Sequence, residues 1–104
     1  MSKKYTFIDL FAGCGGLSEG FYKQGFRGLT HVEYDHYACE SLRTRMKYYG
    51  YHDGKVSVLE KDITDKDITK HIEIEISNQS VALDLDKLFI GGFLFFVVWR
   101  LREL

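Results

Sequence analysis

Apolar positions in this chain fall into short blocks, separated by glycines and acidic residues. The first block, residues 5–11, reads as a buried strand through Phe7, Ile8, Leu10 and Phe11. A loop of Ala12, Gly13, Cys14, Gly15 and Gly16 follows. A helix then starts at Leu17 and runs towards Phe26, with Leu17, Phe21 and Tyr22 as an i, i+4, i+5 packing face and Gly25 as its stop. Residues 28–33 read as a second strand whose apolar members are Leu29 and Val32. Asp35 is placed to cap a second helix. That helix reaches about Tyr49 and presents Tyr37, Ala38, Ser41, Leu42, Arg45, Met46 and Tyr49 at three- and four-residue intervals. Gly50 ends it, and residues 52–54 read as a loop.

The rest of the chain carries two more strands. Residues 56–59 form the third, which ends near Asp62 and Ile63. Residues 65–71 suit a short helical crossover. The run Ile72-Glu-Ile-Glu-Ile76 has period two, so it fits an extra strand as well. Residues 78–80 are a loop. Residues 85–90 form the fourth strand, with Gly91-Gly92 at its end. Strand and helix alternate throughout, which predicts an α/β fold with a parallel sheet and helices on its faces. Ligands in such folds sit beyond the carboxyl ends of the strands, where strand order reverses.

Composition narrows this little. A chain of 104 residues is one domain at most. Its 45% hydrophobic and 28% charged residues are ordinary for a globular protein. A net charge of −1 gives no support for a general affinity for nucleic acid or anionic membrane. Lys3-Lys4 leads into too few apolar residues for a signal peptide, so a cytoplasmic, reduced setting is expected for Cys14 and Cys39. Cys39 lies mid-helix and reads as packing. The two cysteines and four histidines have no zinc-like spacing, and no metal is expected.

The candidate chemistry lies at the strand ends. Three glycines in the first loop let a ligand approach bare backbone, and the free N–H groups of the following helix point at it. The dinucleotide pattern Gly-x-Gly-x-x-Gly is not met, because Ser18 stands where the third glycine belongs. Glu33, at the end of the second strand, is placed to accept hydrogen bonds from ribose hydroxyls. Asp62, at the end of the third, can accept one from an adenine amino group. Taken singly, each reads as an ordinary polar strand end or helix cap rather than a ligand contact. Together with the loop they fit an adenosine without a diphosphate.

Four segments, taken with their order and spacing, resemble the DNA cytosine-5 methyltransferases. Residues 7–21, Phe-Ile-Asp-Leu-Phe-Ala-Gly-Cys-Gly-Gly-Leu-Ser-Glu-Gly-Phe, are similar to that family's first motif. Glu33-Tyr34-Asp35 resembles the second, Lys61-Asp62-Ile63 the third, and residues 86–92 the strand leading to the catalytic loop. The resemblance implies a Rossmann-like methyltransferase fold with a partial parallel sheet and S-adenosyl-L-methionine as cofactor. Phe11 and Tyr34 would then cover the two adenine faces, and Glu33 would hold the ribose. Asp62 and the Ile63 backbone would read the adenine edge. The backbone from Ala12 and Gly13 through Cys14, Gly15 and Gly16 to Leu17 would cradle the methionine part. Cys14 would be a loop residue with no nucleophilic role.

The same resemblance implies covalent catalysis by a cysteine in a Pro-Cys pair just after the Gly-Gly, acting on a flipped-out cytosine. This sequence holds no proline, so no Pro-Cys pair and no catalytic residue are assigned. Residues 1–92 therefore read as the N-terminal part of the cofactor domain. Residues 93–104 read as a divergent apolar tail of the kind a frameshift and early stop would produce. The expected function is a methyltransferase fragment that is inactive alone, with weak DNA contact or none. The alternatives are a non-catalytic cofactor-binding module, or half of a split enzyme completed by a second polypeptide. The apolar run 88–99 that leads into this tail is too short to span a membrane and holds two glycines. The tail's Phe- and Val-rich run, beside an incomplete sheet edge, predicts marginal solubility.

Overall fold

The structure is a computed structural model, and it describes residues 5–79 and 85–91. The expected tail at 93–104, together with Ser80 and Gly92, lies outside the described residues. Four strands form one sheet: β1 (Thr6–Leu10), β2 (Arg27–Glu33), β3 (Val58–Glu60) and β4 (Leu88–Gly91). All neighbouring pairs are parallel, in the order β3-β2-β1-β4. The α/β, Rossmann-like expectation holds. The chain lays down β1, β2 and β3 in one direction and then returns to place β4 on the far side of β1. Strand order therefore reverses at β1, directly below the glycine loop.

β1 is buried along its whole length, as a strand covered on both faces must be. Its side chains alternate between two cores. Ile8 and Leu10 join Leu29, Val32 and Ile68 on one face. Phe7 joins Ala12, Tyr22, Leu42 and Met46 on the other. Between Phe7 and Ile8 the register with β2 shifts by one residue, so Phe7 pairs with Gly28 and Ile8 with Thr30.

Three helices cross between the strands: α1 (Gly16–Lys23), α2 (His36–Tyr49) and α3 (Ile68–Ser77). Asp35 caps α2 as expected, accepting the Ala38 N–H at 2.8 Å. Gly50 ends it in the left-handed conformation, at φ 75°. The buried face of α2 is Cys39, Leu42 and Met46. Tyr37 and Tyr49, placed on that face by spacing, are exposed instead. Cys39 is fully buried, as expected, and burial pushes its thiol up to about 11.

The packing face of α1 also differs from the expected one. Ser18, Glu19 and Tyr22 are buried, whereas Leu17 is 51% exposed. The reason is a set of polar partners: Ser18 donates to Asp9, and Glu19 accepts from Arg45 Nε at 2.6 Å and pairs with Lys23 at 3.2 Å. These bonds turn the helix so that Leu17 faces outward.

The ambiguous run Ile72 to Ile76 is helical. Ile68, Ile72 and Ile76 recur every four residues against the aliphatic core, and Ile74 is left on the outside. Smaller differences concern boundaries. β3 is only three residues long, and the chain enters β4 through a 3-10 turn at Leu85–Lys87. The expected loop at 52–54 belongs to a 3-10 turn, Tyr51–Gly54, in which His52 and Asp53 adopt positive φ.

Candidate functional site

The glycine loop leaves β1 through a tight, left-handed path. Phe11, Gly13 and Gly15 have φ of 57°, 58° and 97°. For Phe11 that conformation is strained, and it leaves the ring 42% exposed at the strand end. Gly15 is required for a second reason. A Cβ there would come within 2.6 Å of Leu42 Cδ1 and 2.8 Å of Met46 Cε, so the loop lies flat against α2. At Gly13 an added Cβ would meet nothing within 4 Å, so the loop is open on that side.

The second strand end is tied to this loop. Glu33, the last residue of β2, accepts the Gly13 N–H through Oε1 at 2.8 Å and the Asp35 N–H through Oε2 at 2.9 Å. The Ala12 N–H donates to the Val32 carbonyl at 3.0 Å, which fastens the loop's first residue to β2 as well. The third strand end is tied to the second, because the Lys61 N–H donates to the Glu33 carbonyl at 3.0 Å. Asp62 accepts the Thr64 N–H at 2.9 Å and the Thr64 hydroxyl at 2.7 Å, both through Oδ1. Those bonds hold its carboxyl below the usual carboxylate range.

Phe11, Glu33, Tyr34, Asp62 and Ile63 line one cleft, together with Val32 and Lys61. Five of the expected site residues, from three separate strand ends, are thus brought together. The other six divide. Ala12 is buried in the core and Gly15 packs on α2. Gly13 faces open space, and Gly16 and Leu17 are exposed at the start of α1. Cys14 points away into a groove beside α2, lined also by Glu40, Ser41, Thr44, Arg45, Tyr48 and Tyr49. That groove is the larger space, ≈ 590 Å³ against ≈ 80 Å³ for the cleft, but Cys14 is the one loop residue among its lining.

Sequence reasoning missed Val32 and Lys61 as lining residues, and it missed the support beneath the loop. Asp9 is 1% exposed and accepts the Ser18 hydroxyl through Oδ2, while Oδ1 has no partner among the described residues. Burial raises its pKa, and the nearby Glu33 charge adds to the rise. A carboxylate inside an apolar strand run was the available signal. Among the described residues, no cluster of His, Cys, Asp and Glu could hold a metal ion. No described helix is long and apolar enough to cross a membrane.

The residues present fit an adenosine-type ligand. Exposed Phe11 and Tyr34 rings supply flat apolar surfaces, and Asp62 and Glu33 supply acceptors at two strand ends. The glycine loop leaves open space on the Cβ side of Gly13.

The profile of the C-5 cytosine-specific DNA methylases matches residues 5–93. The type II methyltransferase M.Bpa9945I of Bacillus paralicheniformis is 55% identical over 42 residues, which are 40% of this chain and 9% of that protein. M.PspPI of a Psychrobacter species is 37% identical over 68 residues, 65% of this chain and 15% of that protein. M.NgoFVII of Neisseria gonorrhoeae is 30% identical over 102 residues, 95% of this chain and 22% of that protein. The chain thus spans under a quarter of the length of these relatives.

Proposed function

This chain belongs to the C-5 cytosine-specific DNA methylase family, and from that premise we propose that its cleft and glycine loop bind S-adenosyl-L-methionine. One observation carries the reading: Phe11, Glu33, Tyr34, Asp62 and Ile63 converge from three strand ends on one cleft beside a left-handed glycine loop. Phe11 and Tyr34 would enclose the adenine, and Asp62 would accept from its amino group, with the Ile63 backbone beside it. Glu33 would hold the ribose hydroxyls. The loop of Ala12, Gly13, Cys14, Gly15 and Gly16, with Leu17, would receive the methionine portion, helped by the free N–H groups that open α1. When bound, the cofactor supplies a methyl group on a positively charged sulfur. Around it, the chain's task is to orient the ligand and shield it from water.

The proposed reaction of the assembled enzyme is methyl transfer to C5 of cytosine in DNA. The 104 residues contain no proline and hence no Pro-Cys nucleophile. We assign this chain the cofactor-binding part, with residues 1–92 as that unit, and predict no transfer by the chain alone. A polypeptide carrying the Pro-Cys segment would complete the site. Calorimetry with S-adenosyl-L-methionine tests the binding claim: the wild type should bind and Glu33→Ala should bind more weakly. Equal binding would remove Glu33 from the ribose role. Incorporation of labelled methyl groups into DNA by the chain alone would overturn the predicted inactivity.

A further inference from the structure

We infer that Glu33 is a positioning residue for the glycine loop, a role additional to the ribose contact proposed above, on whose reading of the site it builds. The loop is held at its ends by backbone bonds, Ala12 N–H to the Val32 carbonyl at 3.0 Å and Gly15 N–H to the Ala12 carbonyl at 3.1 Å. Between them, Gly13 adopts a left-handed φ of 58° with open space on its Cβ side, so packing on that side does not fix it. Its N–H donates to Glu33 Oε1 at 2.8 Å, a charge-assisted bond across twenty residues of sequence. The other oxygen, Oε2, accepts the Asp35 N–H at 2.9 Å, and Asp35 caps α2. One carboxylate therefore joins the β1 loop to the start of α2.

An ionised carboxylate has about four lone-pair sites, so two bonds leave capacity for a vicinal diol. The group that would take the ribose is thus the group that shapes the loop for the methionine portion, and the two halves of the cradle share one anchor. Glutamine cannot substitute, because one of its two terminal positions is an N–H donor facing another N–H.

The test uses the full chain, labelled with ¹⁵N and ¹³C, without ligand. In Glu33→Ala, which removes both acceptors, the Gly13 amide should exchange with solvent about ten-fold faster or more than in the wild type, as expected for loss of a hydrogen bond to a charged group. Thr30 and Val32 amides in β2 should keep their rates, which separates a local latch from general loosening. Unchanged Gly13 exchange would overturn the inference. A second measurement needs no variant: a through-hydrogen-bond coupling between the Gly13 nitrogen and the Glu33 carboxylate carbon should be detectable in the wild type, and its absence would also overturn it. Neither readout involves S-adenosyl-L-methionine. If both succeed while added cofactor shifts neither the Gly13 nor the Asp35 amide, the cofactor reading fails and the latch stands.

Discussion

The two faces of the sheet are built from different chemistry. The face under α3 has an aliphatic core: Ile8, Leu10, Leu29, Val32 and Ile68 are buried there, with Ile72 and Ile76 packed against them, and its polar contacts run through Ser57 to Thr30 and to Glu75 of α3. The face under α1 and α2 mixes rings with buried polar groups. Phe7 stacks on Phe21 with centroids 4.9 Å apart and meets Tyr22 edge-on at 5.1 Å. Tyr22 Oη lies 3.2 Å from His31 Nε2, and His31 Nδ1 lies 2.7 Å from the Ser57 carbonyl. Asp9 and Ser18 are buried on this face too. Aliphatic burial is non-directional and tolerates small shifts. Rings and hydrogen bonds fix angles, and they fix α1 where the glycine loop enters it. The glycine loop thus rests on the face that specifies position, while the cleft also draws Val32 and Ile63 from the aliphatic face.

The largest test of this contrast is a pair of matched core truncations. Phe7→Ala should cost about 3–5 kcal/mol and Leu29→Ala, on the other face, about 2–5 kcal/mol, but only Phe7→Ala should also shift the amides of residues 15–18. Urea unfolding measures the losses and amide spectra the displacement, and equal displacement by both would erase the distinction. Acidification comes next. Burial lowers the His31 pKa from 6.5 to about 4, so the folded state resists the proton that the unfolded chain accepts. The stability His31 contributes is complete above pH 6.5 and is lost as pH falls towards 4. A shift of that size amounts to roughly 3 kcal/mol. Asp9 has the opposite sign, because its raised pKa makes the ionised form unfavourable in the fold and acid relieves that penalty. His31→Gln should therefore flatten the loss of stability between pH 6.5 and 4, and an unchanged profile would show that His31 does not carry it.

Gly13→Ala should be milder. It meets no neighbour and adds only the left-handed penalty of about 1–2 kcal/mol, so thermal unfolding should shift modestly while cofactor binding falls through the methyl group in the open space. The smallest effect is expected for Leu17→Ser, within about ±0.5 kcal/mol, because the side chain is exposed. A large loss there would restore Leu17 to the packing face that spacing alone assigned to it.

Local signals were readable along the chain. The apolar run of β1, the Asp35 cap and the Gly50 stop each depend on neighbouring residues, and each appears in the fold. Glu33 and Asp62 of the cleft were also legible, because parallel strands bring their carboxyl ends to one side, while Phe11, Tyr34 and Ile63 were implied by the family resemblance alone. What was hidden depends on distant partners. Leu17 turns outward because Ser18 finds Asp9 and Glu19 finds Arg45. The bond from Gly13 to Glu33 joins the loop after β1 to the end of β2, and no sequence period encodes it. Ile72 to Ile76 alternates like a strand, yet the four-residue spacing from Ile68 prevails once a core lies beneath it. Cys14 shares a loop with Gly13 but lines a different groove, because Gly15 packs against Leu42 and Met46.

The most direct measurement is a titration of the ¹⁵N-labelled chain with S-adenosyl-L-methionine, following every amide. The account predicts saturable shifts at residues 11–17, 33–35 and 61–64, with the amides of α3 unmoved. Shifts confined to the groove beside Tyr48 and Tyr49, or no shifts at millimolar cofactor, would contradict it.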